Sequence, residues 1–507
     1  MTILVAVLGG APAFHAWADP ATTDDVTHKD APTAFNAPEP KPVLDWGTGN
    51  AHSFWVPAWE IPTFHFLLNR FDHYAIDSAS YPAPWTNLHT NLHRSWVIDN
   101  DKFSTNQFLH PYQGAAYQGL ARSAGLDFWQ ASAYTFTGSL LWEEYGENTA
   151  PSMNDQVATG IGGNFLGEPL FRMASLLLEG GEGDHPGFWR ELGAAGLSPS
   201  LGFNRLVYGK RFDPVFRSFS PAVFTRVDLS GNLSTHYNSD INVNADPSAP
   251  PTPQTLKRGA AVATFAIAYG LPGKPGYTYE RPFDYFNFEL AADTANGVES
   301  VFSRGLLYGS DYAAGDNYRG IWGLYGIYDY SAPGIFRVSN TAGAFGTTAQ
   351  RWLSQDVALQ GTALLGVGYA AGGVIRGAGV TAPSPNGEGQ RNYHYGIAPE
   401  SIVALRLTFA DRAALDTSAR GYYISRLAAS ESTGSETIDR FNVALTVRVF
   451  DLHGLTLSYS QSTRDGRYVG LPDSHQSVRT ISIGYTLLGH TRLGAVEWRN
   501  DSRQSEQ

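Results

Sequence analysis

A chain of 507 residues with a net charge of −12, no cysteine and only 16% charged residues excludes several classes at once. Without cysteine there is no disulfide, thiol nucleophile or zinc–thiolate site. The negative balance argues against nonspecific nucleic-acid binding. The length calls for two or more structural units, and no apolar run reaches the eighteen residues of a transmembrane helix. Low charge, 13% aromatic residues and 54 glycines suit a transmembrane β-barrel or, alternatively, a large soluble β protein with an aromatic, sugar-binding surface.

Residues 1–18 read as a signal peptide. Ile3 to Ala16 is mostly apolar, and Ala16-Trp17-Ala18 before Asp19 fits a small-x-small cleavage site, although no Lys or Arg precedes the apolar stretch. Residues 19–45 form a polar, Pro-rich linker with little to bury, expected to be disordered or ordered only on contact. From Trp46 the composition changes. Phe64, Leu67, Leu68 and Phe71 give an apolar helical face within 61–72, and Leu88 to Trp96 gives another short piece.

The next stretch, His110 to Glu179, is the densest in unusual choices. His110-Pro111 opens a helix rich in small residues, with His110 beside the N-cap and Gly125 at its end. A second helix, Leu126 to Glu147, ends in Glu143, Glu144 and Glu147. Acids there oppose the helix dipole, so they are expected to have partners elsewhere. Ser152 as N-cap with Asp155 three residues on starts a third helical run, expected to kink or break at Pro169. Gly160, Gly163 and Gly167 lie near one stripe and allow another backbone to approach. Phe188 begins a further short helix, and Ser198 to Tyr208 leads out of the domain.

Three readings of the acidic residues stand side by side, one of them a partner-docking surface. In a second, His110 with Glu143 or Asp155 forms a general acid/base pair or a metal site. In the third, Asp155 caps a helix, Glu168 pairs with Arg172, Glu143 or Glu147 pairs with Arg94 or Arg122, and His110 caps. The spacing matches no known metal-ligand pattern, so no metal and no cofactor is assigned. Asp155 and Glu168 are roughly 20 Å apart along a continuous helix and cannot pair unless it breaks at Gly162-Gly163.

The segments HPYQGAAYQGLARSAG, GSLLWEEYGE, PSMNDQVATGIGGNFLGEPLFRMASL and SPSLGFNRL, in this order, resemble the bacterial domain-of-unknown-function 3943 family over roughly Trp55 to Asp213. The resemblance implies an exported, outer-membrane-like protein. It carries over motif positions without roles: His110, Pro111, Tyr112, Gly114, Arg122, Trp142, Glu143, Ser152, Asp155, Gly163, Glu168 and Arg172.

From about Ser218 the period becomes two. Phe441, Val443, Leu445, Val447 and Val449 alternate with Asn442, Ala444, Thr446 and Arg448, and similar runs centre on Leu405, Phe288 and Leu457. Strands of nine to eleven residues, aromatics near strand ends and alternation of tight turns (451–454) with long polar loops (238–256, 377–391, 466–477) favour a barrel over a sandwich. The fold expected is therefore α+β. A helical domain at 46–213 precedes an antiparallel transmembrane barrel of about twelve strands at 214–500, with a polar tail at 501–507. The helices are expected to pack against the barrel or plug it, with inward Arg406, Arg420 and Arg448 facing their acids. Localisation is read as the outer membrane of a Gram-negative envelope, with lipid as the partner. The role is structural or transport-like, or else that of a membrane-embedded hydrolase of lipid or envelope polymer.

Overall fold

The computed structural model describes residues 52–498, apart from 76–77, 79–80, 82–83, 100, 181–185, 210–214, 240–252, 375–392, 427–433, 469–472 and 490–491. The signal peptide, the linker, the polar tail and most of the three long loops named above lie outside the described residues.

Twelve strands close into one antiparallel barrel: β1 (Val223–Asn238), β2 (Gln254–Tyr269), β3 (Phe286–Asp293), β4 (Gly297–Ala314), β5 (Tyr318–Ser331), β6 (Phe336–Trp352), β7 (Val357–Val374), β8 (Tyr393–Phe409), β9 (Ala413–Arg426), β10 (Gly434–Phe450), β11 (His453–Tyr468) and β12 (Ser474–Leu488). The seam is β1 on β12, in register from Arg226↔Leu488 to Asn238↔Gln476. Closure removes every free edge and rules out the sandwich. Most strands are longer than expected. Sixteen residues in β1 at about 3.4 Å each, tilted near 40°, give a wall roughly 40 Å high.

The period of two sorts side chains as the sequence implied. Leu445, Leu457 and Ile483 stand side by side in the ladder and are exposed on the outer face. The intervening residues build a polar interior. Arg226 pairs with Asp228 (2.9 Å) and Asp416 (3.1 Å), and Arg406 also pairs with Asp416 (2.6 Å). Arg420 of β9 reaches across to Asp329 of β5 (2.8 Å), and Tyr422 donates to the same carboxylate (2.6 Å). Arg448 bonds Asp411 at a turn (3.0 Å). Arg406, Arg420 and Arg448 therefore face acids of the barrel itself rather than acids of the helices, because the helices are not in the lumen.

What enters the lumen is the chain after β12. At the end of the barrel with the short turns, the Val496 carbonyl accepts from Gln350 (2.7 Å) and Trp352 (3.1 Å), and the Gly494 carbonyl accepts from Gln360 (2.6 Å). Leu493 and Trp498 join Trp352, Leu488 and Phe224 in an apolar cluster inside that mouth.

The helices lie on the outside. They are α1 (Trp55–Ala75), α2 (Pro84–Asn91), α3 (His110–Ser123), α4 (Phe128–Tyr145), α5 (Met153–Val157), α6 (Gly163–Glu179), α7 (Phe188–Leu197) and α8 (Pro199–Tyr208). One π-helical turn, 105–109, runs into α3, and another, 158–162, joins α5 to α6. Alternation settles which wall they touch. In β5, Ile327 and Asp329 are on the lumen side, so Gly326, Tyr328 and Tyr330 are on the outer side. There the Phe165 ring covers Gly326, and Tyr328 donates to the Gln107 carbonyl (2.6 Å). Gly162 sits on Thr341 of β6, and Tyr393 and Tyr395 of β8 bond the same domain. Of the two arrangements expected, the helices take the one against the barrel.

Candidate functional site

The strongest candidate is the polar junction where α3, α4 and α5 meet the outer wall of β8. Its construction begins at the end of α4. The carbonyls left open there are taken by asparagines of α1 and α2. Asn69 donates to Gly146 (2.5 Å), Asn87 to Tyr145 (3.2 Å), and Asn91 to Glu143 (3.1 Å) and Glu147 (2.9 Å). Glu143 is thereby free to turn its side chain to the next helix, where its Oε2 accepts from the backbone N–H of Ser152 (2.7 Å). Ser152 caps α5 by accepting from the Asp155 N–H (3.1 Å). The reciprocal half of this capping box comes from Glu143 rather than from Asp155.

Asp155 instead faces inward, with Oδ1 accepting from Asn154 (2.9 Å). Asn154 also donates to the Tyr395 hydroxyl (2.8 Å), and its Oδ1 accepts from the Asp99 N–H (2.7 Å). Asn106 and Gln107, on the π-turn, reach Tyr395 as well. Nε2 of His110 lies 4.0 Å from Asp155 Oδ2, and neither that oxygen, Nδ1 of His110 nor Oε1 of Glu143 has a hydrogen-bond partner.

Burial dominates the electrostatics. It raises the Glu143 carboxyl well above the ordinary range, with Asp155 and Glu147 adding to the effect. It raises Asp155 likewise, with Asp99 nearby. It pushes Glu147 up to about 8 and lowers His110. Burial thus favours the protonated form of these acids and the uncharged form of the imidazole. Such a set holds protons; among the described residues no group of three or more His, Asp or Glu is arranged to hold a metal ion.

The remaining motif positions divide into two groups. Glu168, Arg122 and Arg172 form a buried charge network away from the junction. Glu168 bonds Arg122 (2.7 Å) and Arg172 (2.9 Å), and Arg172 bonds Asp284 in the segment between β2 and β3 (2.9 Å). Thus Arg122 pairs with Glu168, not with Glu143 or Glu147. Arg94 bonds the Asn148 carbonyl rather than either acid. The second group is packing. Gly163 meets Gly114 backbone to backbone, where an added Cβ would stand 2.6 Å from the Gly114 Cα. Trp142 is buried against His65, and Pro111 is buried in the first turn of α3. Tyr112 packs at the edge of the helix–barrel core.

Two local expectations change, the cap at His110 and the break at Pro169. His110 is not a cap, because the π-turn runs straight into α3 and Leu109 takes that place. Residues 199–208 are helical. The helix continues through Pro169. Proline cannot donate to the Phe165 carbonyl four residues back, and Ser303 of β4 supplies that bond from the barrel wall (2.5 Å). Sequence reasoning missed Asn154, Asn106, Gln107, Tyr393 and Tyr395. The one available signal was the pair of tyrosines at i, i+2, which places both on one face of a strand.

Residues 95–200 match the family model described as domain of unknown function (DUF3943). This DUF3943 segment holds α3 to α7 and both π-turns, and so contributes Asp99, Asn106, Gln107, His110, Glu143, Asn154 and Asp155 to the polar junction. No curated protein matches the chain. Among solved structures, the chain is similar to the NanC porin (8% identity, 50% of this chain and 98% of that one, TM-score 0.25). It is also similar to a mutant of the TodX monoaromatic hydrocarbon channel (11%, 54% and 92%, 0.23). A third is the translocator domain of autotransporter NalP from Neisseria meningitidis (15%, 52% and 88%, 0.23).

Proposed function

We propose that this is an outer-membrane barrel with a transport-like role, kept shut at rest, and that the DUF3943 segment braces its wall. The observation that carries this reading is the polarity of the barrel. Large apolar side chains such as Leu365, Leu445 and Ile483 are exposed outside, and the ion pairs are inside. A β-barrel in water would have the reverse outer face. The resting closure is read from the Arg420–Asp329 bridge across the lumen and from the segment after β12 in the short-turn mouth. The test is membrane fractionation with gel mobility of boiled and unboiled samples, followed by conductance in planar bilayers. A heat-dependent shift with little conductance is expected, and Arg420→Ala should raise the conductance. Recovery as a soluble protein with no shift would overturn the reading.

A hydrolase remains the second reading, favoured by the unpartnered atoms of His110, Glu143 and Asp155. Ser152 Oγ is not directed at His110, because it donates to Asn154 Oδ1 (2.9 Å). If the hydrolase reading is correct, His110→Ala abolishes an activity on envelope lipid or polymer while leaving the heat-dependent shift intact.

A further inference from the structure

We infer that the helical domain is itself embedded in lipid beside the barrel, with the outer face of α1 against acyl chains. This rests on the outer-membrane reading above and deepens it.

The first observation is that α1 is inside out. Beside Val56 and Ile61 it buries Glu60, His65, Asn69 and Asp72, and it exposes Trp55 (77%), Trp59 (72%), Leu67 (61%) and Phe71 (63%). A helix in water shows the opposite arrangement. Two of the buried polar side chains bond to neighbouring helices. His65 bonds the Tyr117 hydroxyl (2.7 Å), and Asn69 caps α4. Polar side chains that bond helix to helix while apolar ones face out are the pattern of helices in a bilayer.

The second observation is height. The domain docks on Ser303, Gly326 and Thr341, all near mid-strand on the outer wall. Phe345 is on the same face of β6 as Thr341, two pleat repeats further along, and is 57% exposed. The apolar belt of the barrel therefore runs directly into the domain, and a body attached at that level lies within the bilayer. Among the described residues no helix is long and apolar enough to cross a membrane. The helices therefore lie alongside the barrel without spanning.

Because the chain has no cysteine, single labels can be placed at will. Leu67→Cys on α1, Leu365→Cys on the barrel belt and Asp356→Cys in an exposed turn are each labelled with an environment-sensitive fluorophore. The proteins are reconstituted in phosphatidylcholine vesicles, retaining the heat-dependent gel shift. Brominated phosphatidylcholine should quench the labels at 67 and 365 to a similar extent and spare the one at 356, which aqueous iodide should quench. Quenching by bromolipid at 365 but not at 67 overturns the inference, and protection of 67 from both quenchers would assign that face to a second copy or to another segment of the chain. Failure at both 67 and 365 overturns the outer-membrane reading beneath it.

Discussion

Glu168 is the residue on which most of the helical domain converges. Its carboxylate holds two buried guanidiniums, and one of them, Arg172, ties α6 to Asp284. Removing one partner of such a pair leaves a buried charge uncompensated, at a cost of about 3–5 kcal/mol. Glu168→Gln is therefore expected to lower the unfolding transition of the helical domain sharply. Glu191→Gln, which breaks a partly exposed pair with Arg205, should cost about 1 kcal/mol or less. Thermal melts of both variants check the contrast. Ser303→Ala tests a neutral bond. It strands the Phe165 carbonyl in the interface, and a loss of about 1–3 kcal/mol is expected.

At the scale of elements, α3 and α6 cross so closely that only glycine fits. A Cβ at position 114 would stand 2.0 Å from the Thr159 carbonyl oxygen. Gly114→Ala must push the helices apart and should destabilise by at least about 1–3 kcal/mol. Gly343→Ala, where nothing lies within 4 Å, should be near neutral in the same melt. The junction of α4 and α5 carries a pH dependence. Glu147 rises from an ordinary 4.5 to about 8, so the folded state keeps a proton that the unfolded state has released. That contribution is complete below about 4.5 and is lost as the pH rises through about 8. Glu143 and Asp155 shift in the same direction. Melting of the helical domain should therefore fall from pH 5 to pH 8.5, and Glu143→Gln with Glu147→Gln should flatten the slope. A steeper slope in the double variant would count against neutral acids at this site.

For the whole molecule, the decisive relation is between two bodies that share one wall. The barrel keeps its charges inside and the helices keep theirs between themselves, so the surface left over is apolar on both. This accounts for a 507-residue chain with only 16% charged residues. It also places the acidic junction outside the lumen, against Tyr395. Arg420→Ala is accordingly expected to change conductance without shifting the pH dependence assigned to Glu147. Measuring both on one preparation tests whether lumen and junction are independent.

Much of the barrel was legible in the chain, because a strand's period of two is local and repeats along each segment. Leu445, Val447 and Val449 announce their face without reference to any neighbour, and such runs with the turns between them point to about twelve strands. The helical starts at Ser152 and Phe188 and the Glu168–Arg172 pair are also local, within one helical turn. The apolar face of 61–72 was visible too, but its direction was not: whether Leu67 and Phe71 meet a core or lipid depends on which solvent lies beyond, which periodicity cannot state. Only the tertiary structure placed the helices on the outer wall, sent Arg122 to Glu168 and joined Asn154 to Tyr395 across 241 positions. Contacts over such distances depend on how closed sheet and packed helices meet. No stretch of sequence encodes that meeting by itself.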